Sequence, residues 1–89
     1  MLRFMVMRKQ GLEPEVLYSA NELELARAFY ARERQGLKIA GYKVNENASF
    51  SDKPIIPFAG NIYEGDIESL SWYGHGGSGL MAIKVFNEI

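Results

Sequence analysis

The sequence contains no cysteine, which excludes disulfides and thiolate metal ligands. It has a single histidine, so a transition-metal centre would lack its usual nitrogen ligands. These shortages disfavour a small secreted scaffold, which at this length ordinarily depends on disulfides or a metal ion. We therefore expect a cytoplasmic chain that folds without a cofactor and without a metal.

Long apolar runs and a net charge of one sign are also missing. No stretch approaches the roughly 18 apolar residues that span a bilayer. The N-terminal segment is interrupted by Arg3 and carries no small-residue cleavage site, so we do not expect a signal peptide. With 11 acidic and 10 basic side chains the net charge is -1, which offers no broad field to nucleic acid or to a membrane.

The residues that are present have an ordinary globular composition. Hydrophobic residues make up 47% and charged residues 24% of the chain, which argues against disorder. A length of 89 residues predicts one domain, residues 1–89, with one core.

Periodicity predicts a hairpin followed by a helix. Apolar residues recur at every second position of residues 2–8, which is typical of a strand, and residues 15–18 form the expected second strand. Residues 20–35 predict an amphipathic helix, with Ser19 and Glu22 as a capping box. The side chains expected to face the core from the helix are Leu23, Ala26, Phe29, Tyr30 and Leu37.

Glycine and proline mark the rest of the chain. Gly36 suits a helix stop, and residues 38–45 predict a third strand. Residues 45–60 are expected to be an irregular loop, because the two prolines in this segment cannot donate to a sheet.

The last third of the chain predicts strands at residues 61–64, 67–73 and 80–86. Residues 74–79 form the expected glycine-rich hairpin tip, and a helical turn capped by Asp66 is the alternative for part of this region. The order is β-β-α-β-(β)-β-β. It predicts an α+β domain, a mostly antiparallel sheet of about five strands covered on one face by a single helix.

Apolar and aromatic groups exceed what one thin core readily hides, which favours a contact surface for another protein. Carboxylates at every second position would share one face of a strand, where they could meet a basic partner, line a solvated edge or hold a cation. The candidate partner-binding residues are Ile55, Ile56, Phe58, Trp72, Tyr73, Glu64, Asp66 and Glu68.

The glycine-rich tip formally matches the dinucleotide fingerprint, but only ten residues follow it, too few for the helix of a Rossmann unit. Its backbone N–H groups could still bind an anion. The candidate residues for such a site are Gly74, His75, Gly76, Gly77, Ser78, Gly79, Arg27 and Arg34. The corresponding hypothesis is a homo-oligomer that binds a nucleotide or another small anion at its subunit boundary.

No constellation for nucleophilic catalysis is evident, because His75 and Ser78 have no third group to orient the imidazole. The favoured hypothesis is a non-catalytic protein-binding module or small inhibitor, with nucleic acid and membranes not expected as partners. An enzyme would have to assemble its site from two subunits. The chain resembles small phage-encoded inhibitors, anti-CRISPR proteins among them, in size and layout and in no sequence motif.

Overall fold

The computed structural model describes residues 1–50 and 61–88, which form five strands and one helix. The elements are β1 Leu2–Lys9, β2 Glu15–Ala20, α1 Leu23–Ile39, β3 Lys43–Glu46, β4 Asn61–Gly74 and β5 Gly77–Glu88. All neighbouring strands are antiparallel, in the order β2-β1-β5-β4-β3, and α1 packs on one face of the sheet. The predicted class, an antiparallel sheet under a single helix, is confirmed for the described residues.

Both faces of the sheet are apolar at the centre because β1 and β5 carry apolar residues at successive positions. We call the face under α1 the front face and the opposite one the back face. The buried front-face cluster comprises Phe4, Val6, Ala26, Tyr30, Leu70, Trp72, Met81 and Ile83. The back-face cluster comprises Met5, Met7 and Phe86. Most of the buried apolar side chains therefore lie between the sheet and the helix, as the period of α1 predicts.

The helix begins later than the capping pattern predicts. Glu22 is the N-cap, with extended backbone and no side-chain capping hydrogen bond. Ser19 belongs to β2, where it pairs with Met5 of β1. The capping-box prediction is therefore wrong, because sheet pairing uses the residues that a local cap would need.

The helix also ends later than predicted. It continues through Gly36 to Ile39, and Gly41 takes the left-handed conformation, with φ at +93°. The N–H of Gly41 donates to the carbonyl of Lys38 at 3.1 Å, and the N–H of Tyr42 donates to that of Leu37 at 3.0 Å. These two hydrogen bonds form a Schellman motif, so Gly41 is the stop and the third strand shortens to Lys43–Glu46.

Strand β4 replaces two predicted strands and the turn between them. It runs unbroken for 14 residues, which also rules out the helical turn considered for this region. Its pairing with β5 is irregular between Tyr63 and Gly65 and again between Asp66 and Glu68. Each irregularity inserts one extra residue, a β-bulge, and therefore reverses the face to which the following side chains point.

The β4–β5 hairpin closes with a shorter turn than the expected six-residue tip. Only His75 and Gly76 lie outside the strands, and both have positive φ, 49° and 76°. This combination is that of a two-residue type I′ turn. Gly77, Ser78 and Gly79 are the first residues of β5.

Candidate functional site

The strand register gathers a polar and aromatic group on the back face, at the end of the sheet near the β4–β5 turn. One row runs across four strands, from Lys9 through Leu80 and Ser71 to Asn45. The next row runs from Ser78 through Tyr73 to Lys43. We call this group the Tyr73 patch: Lys9, Lys43, Asn45, Ser71, Tyr73, Ser78 and Leu80.

A cavity of about 390 Å³ lies at this patch. It forms where β1 ends at Lys9 while β5 continues to Gly77, so the turn that follows β1 leaves a gap beside β5. Its walls are Lys9, Gln10 and Gly11 on one side and residues of β4 and β5, including Tyr73, on the other. The volume is at the lower end of the range of about 300–1,000 Å³ found for ligand sites.

Tyr73 is the most exposed aromatic side chain of the described residues, with 55% of its surface accessible. The ammonium of Lys43 lies 5.8 Å from the centroid of its ring. Pairing with Lys43 on one side and Ser78 on the other holds the backbone of Tyr73 in the middle of three strands. The ring is therefore presented to solvent from a rigid base.

Trp72 points the other way and is only 2% exposed. It belongs to the front-face core, and its indole lies so close to Gly79 that a Cβ at that position would overlap the ring. The expectation that Trp72 contacts a partner therefore does not fit this structure. Of the adjacent pair, Tyr73 alone is available at the surface.

A buried lysine lies at the centre of the back face. Lys84 has no exposed surface, and its ammonium donates to Asp66 Oδ1 at 2.6 Å and to the carbonyl of Phe50 at 3.4 Å. The rings of Phe50 and Tyr63 lie 4.3 and 5.3 Å from the same ammonium. A buried charge requires such compensation, since an unpaired ion in the interior is strongly unfavourable.

Tyr63 completes this cluster by donating its hydroxyl to Asp66 Oδ1 at 2.5 Å. Burial, and then the hydrogen bond to the Asp66 carboxylate, raise the pKa of the Tyr63 phenol above its usual range. Asp66 therefore has two donors within the chain. The arrangement holds the bulged part of β4 against β5 and Phe50, and it leaves Lys84 too enclosed to act on a substrate.

The three carboxylates of β4 do not share a face as predicted. Asp66 points to Lys84 on the back face, whereas Glu68, beyond the second bulge, lies 3.6 Å from Arg27 of α1 on the front face. Glu64 occupies the extra position of the first bulge and is exposed. The bulges scatter the row, and the described residues contain no cluster of three or more His, Cys, Asp or Glu side chains that could hold a metal ion.

The predicted anion site is not assembled either. Arg34 lies 3.9 Å from Glu46, just as Arg27 lies beside Glu68. Glu68 is six residues before Gly74 along β4, a separation of about 20 Å at the usual strand rise. Glu46, the carboxylate beside Arg34, pairs with Leu70, four residues before Gly74. Both arginines therefore lie beside carboxylates that are away from the glycine-rich turn.

The turn itself faces the wrong end of the helix for an anion. His75 Nε2 lies 3.0 Å from the carbonyl of Ala40, the C-cap of α1, and the imidazole meets the ring of Tyr42 edge-on at 4.9 Å. The C-terminus of a helix carries a partial negative charge, which disfavours anions. His75 docks the hairpin onto the helix end.

One buried polar atom has no partner among the described residues. The hydroxyl of Tyr30, on α1, is enclosed between helix and sheet without a hydrogen bond. Burial first, and the carboxylates of Glu68 and Glu46 next, raise the pKa of this phenol above its usual range. Tyr30 does not line the cavity at the Tyr73 patch.

Sequence reasoning missed most of the Tyr73 patch and the role of Lys84. A signal for Lys84 was present, because a lysine in the apolar run of residues 80–86 must be either enclosed or on a solvated face. The sequence gives no comparable signal for Lys43, Ser71 and Leu80, since only the pairing of four strands brings these residues together. The predicted contact residues Ile55, Ile56 and Phe58 lie outside the described residues.

Comparisons of the chain with known protein families, with curated proteins and with solved structures found no match. Within residues 1–50 and 61–88, no helix has the length and apolar character needed to cross a membrane. The function is therefore inferred from the geometry of this chain.

Proposed function

We propose that this chain is a non-catalytic protein-binding module that contacts its partner through the Tyr73 patch. The observation that carries the proposal is an exposed tyrosine at the rim of a cavity, with 55% of its surface accessible against 36% for Tyr63 on the same sheet face. Tyrosine is enriched among the residues that dominate binding energy, because it combines a large apolar area with a polar tip.

Preorganisation supports the same conclusion. Tyr73 lies on an inner strand paired on both sides, and its ring adjoins the Lys43 ammonium. Ordering a flexible side chain on binding costs about 0.5–1.5 kcal/mol, and a side chain held in place beforehand avoids part of that cost. The patch can therefore bind without reorganising the sheet.

The chemistry of the patch favours binding over catalysis. Its titratable side chains are Lys9, Lys43 and Tyr73, and no carboxylate or imidazole belongs to it. General acid–base and nucleophilic catalysis require a positioned acid or base next to the reacting group. Hydroxyls, ammonium groups and an aromatic ring are instead the usual components of a recognition surface.

An inhibitory role extends this proposal. A small domain that offers one tyrosine-centred surface suits a protein that blocks a larger partner. The chain also resembles phage-encoded inhibitors of the anti-CRISPR type in size and in the order of its elements. The lack of cysteine supports a reducing compartment such as the cytoplasm.

The test is site-specific photo-crosslinking. Benzoylphenylalanine is placed at position 73, and at position 25 as a control, because Leu25 is also exposed but lies on α1. In extract of the source cells, position 73 should yield one discrete adduct that position 25 does not. Excess unlabelled protein should compete for it, whereas excess Tyr73→Ala should compete about 30-fold less well, the effect of losing about 2 kcal/mol.

Two outcomes would contradict the proposal. One is the same set of adducts from both positions, which indicates non-specific encounter. The other is a Tyr73→Ala protein that competes as well as the unmodified chain while keeping the same melting temperature.

A further inference from the structure

We propose that two copies of this chain associate through a stripe on the flank of α1 beside β2, with the two helices antiparallel across a twofold axis. The α1 stripe consists of Glu22, Leu25, Phe29 and Arg32. It is separate from the Tyr73 patch, which lies on the back face of the sheet, away from α1.

The helical period places these four residues on one line. They recur at intervals of three, four and three positions, which is the spacing of neighbours on one side of a helix. Phe29 shows which side this is, because its ring stacks on that of Tyr18 in β2 at 4.8 Å, with the two ring planes 5° apart. Since β2 is an outer strand of the described sheet, the α1 stripe lies at the border of the molecule and not over its centre.

The α1 stripe is accessible along its length. Glu22 and Arg32 are exposed, Leu25 has 47% of its surface accessible, and Phe29 is half-buried. An exposed leucine beside a partly exposed aromatic ring forms a small apolar centre with a charged residue at each end. Contact surfaces commonly have this arrangement of an apolar centre and a polar rim.

The opposite flank of α1 has its charges compensated within the chain. Its basic side chains, Arg27, Arg34 and Lys38, lie 3.6 to 3.9 Å from carboxylates of β3 and β4. In the part of the chain that the structure describes, neither Glu22 nor Arg32 forms an ion pair. The two flanks therefore differ, and the charges of the α1 stripe are available to another molecule.

The order of residue types along the α1 stripe makes it complementary to itself. The spacing is symmetric about position 27, because positions 22 and 32 are equally far from it, as are positions 25 and 29. In an antiparallel pair of helices centred there, Glu22 of each copy faces Arg32 of the other, and Leu25 faces Phe29. A twofold axis repeats each contact, so a single stripe supplies two ion pairs and two apolar contacts.

The outer strand is less suited than the helix to join the two copies. The pairing of β2 with β1 shifts between Val6 and Met7, which leaves Leu17 as the extra residue of a bulge. A bulge in an outer strand disfavours the addition of a further strand to the sheet. We therefore assign the contact to the helices, whose axes would lie about 8–10 Å apart.

Sedimentation equilibrium of the purified chain tests the association. The contact is small, so we expect a dissociation constant of roughly 10–100 μM that rises as salt is added. The measured mass should increase from 10.0 kDa toward twice that value as the concentration rises through this range. A mass that stays at that of one chain throughout would overturn the proposal.

Charge reversal tests the pairing across the axis. Glu22→Arg and Arg32→Glu should each raise the dissociation constant at least about tenfold, because like charges then meet twice. An equimolar mixture of the two variants should associate at least as tightly as the unmodified chain, since each variant then complements the other. Glu24→Arg makes the same change of charge in the first turn of α1 but off the stripe, and should alter the dissociation constant less than about twofold. A mixture that associates no better than its components would overturn the proposal.

Photo-crosslinking gives a second measurement that leaves both charges in place. Benzoylphenylalanine at position 25 of the purified protein should yield a covalent dimer, with the adduct near Phe29 of the second copy. The control is position 39, because Ile39 is more exposed, at 77%, but lies at the far end of α1. Equal yields of dimer from the two positions, or none from position 25, would overturn the assignment.

This inference and the proposed function can fail separately. Tyr73→Ala removes the ring at the centre of the other surface and should leave the dissociation constant of the dimer unchanged. A dimer that this substitution weakens at least about tenfold would place the contact on the back face and overturn the assignment to α1.

Discussion

Removing the carboxylate of Asp66 should destabilise the fold far more than removing the lysine it neutralises. In Asp66→Ala the Lys84 ammonium stays enclosed and keeps only the Phe50 carbonyl, at 3.4 Å, as a hydrogen-bond acceptor. In Lys84→Met the volume is retained, and Asp66 keeps its hydrogen bond from Tyr63 and its partial access to water. The asymmetry arises because Lys84 is fully buried and Asp66 is not.

The magnitudes follow from the burial of the two partners. Breaking a buried ion pair from one side costs about 3–5 kcal/mol. The lower figure applies here, because the Asp66 side chain is 25% exposed and water can enter once it is removed. We expect about 3 kcal/mol for Asp66→Ala and about 1 kcal/mol for Lys84→Met. The double variant should also lose about 1 kcal/mol, since it contains no unpaired buried charge.

Urea denaturation followed by circular dichroism measures these differences. For a domain of this length, a loss of about 3 kcal/mol lowers the melting temperature by roughly 12–24 °C. The reasoning is refuted if the two single variants lose the same free energy of unfolding, or if the double variant loses the sum of both.

Three further predictions concern single positions. Gly79→Ala should cost about 2–3 kcal/mol in the free energy of unfolding because its Cβ overlaps the indole beside it, whereas Gly77→Ala, with its nearest neighbour at 3.8 Å, should cost less than about 1 kcal/mol. Gly36→Ala should raise the melting temperature, by the equivalent of about 0.5–1 kcal/mol, because this glycine is inside the helix with nothing near it. Gly41→Ala should lower the melting temperature, because residue 41 has a φ of +93°. Changes of the same sign in both variants would contradict the helix end described above. Burial and a carboxylate raise the pKa of the Tyr63 phenol, so the unfolded chain releases this proton at a lower pH than the folded chain does. The free energy of unfolding should therefore fall as the pH rises above about 10. Urea midpoints measured from pH 9 to 11 should fall less steeply in Tyr63→Phe than in the unmodified protein.

Local patterns predicted the elements of this fold more reliably than their ends. The period of the helix placed Ala26 and Tyr30 in the core, and the alternation in β1 indicated a second apolar face. The cap at Ser19 and the stop at Gly36 were wrong, although both residue types suit those roles. Ser19 pairs in the sheet, and Gly41 offers a stop that closes two hydrogen bonds, so pairing and packing outweighed a preference of about 1 kcal/mol.

For the candidate site, too, the sequence indicated single residues, and the tertiary structure decided how they are grouped. Tyr73 could be singled out from the sequence, because adjacent residues of a strand point to opposite faces and one of Trp72 and Tyr73 had to face outward. The rest of the patch comes from four strands, and its cavity exists because β1 ends before β5 does.

Composition and periodicity alone thus determined the class of fold, the buried face of the helix and the absence of disulfide chemistry, because these depend on residue type and on spacing along one element. The tertiary structure decided which carboxylate neutralises Lys84, which face each residue of β4 takes beyond its bulges, and where β1 ends relative to β5. Those outcomes depend on register between strands that are distant along the chain, and a shift of one residue in that register moves every side chain to the other face.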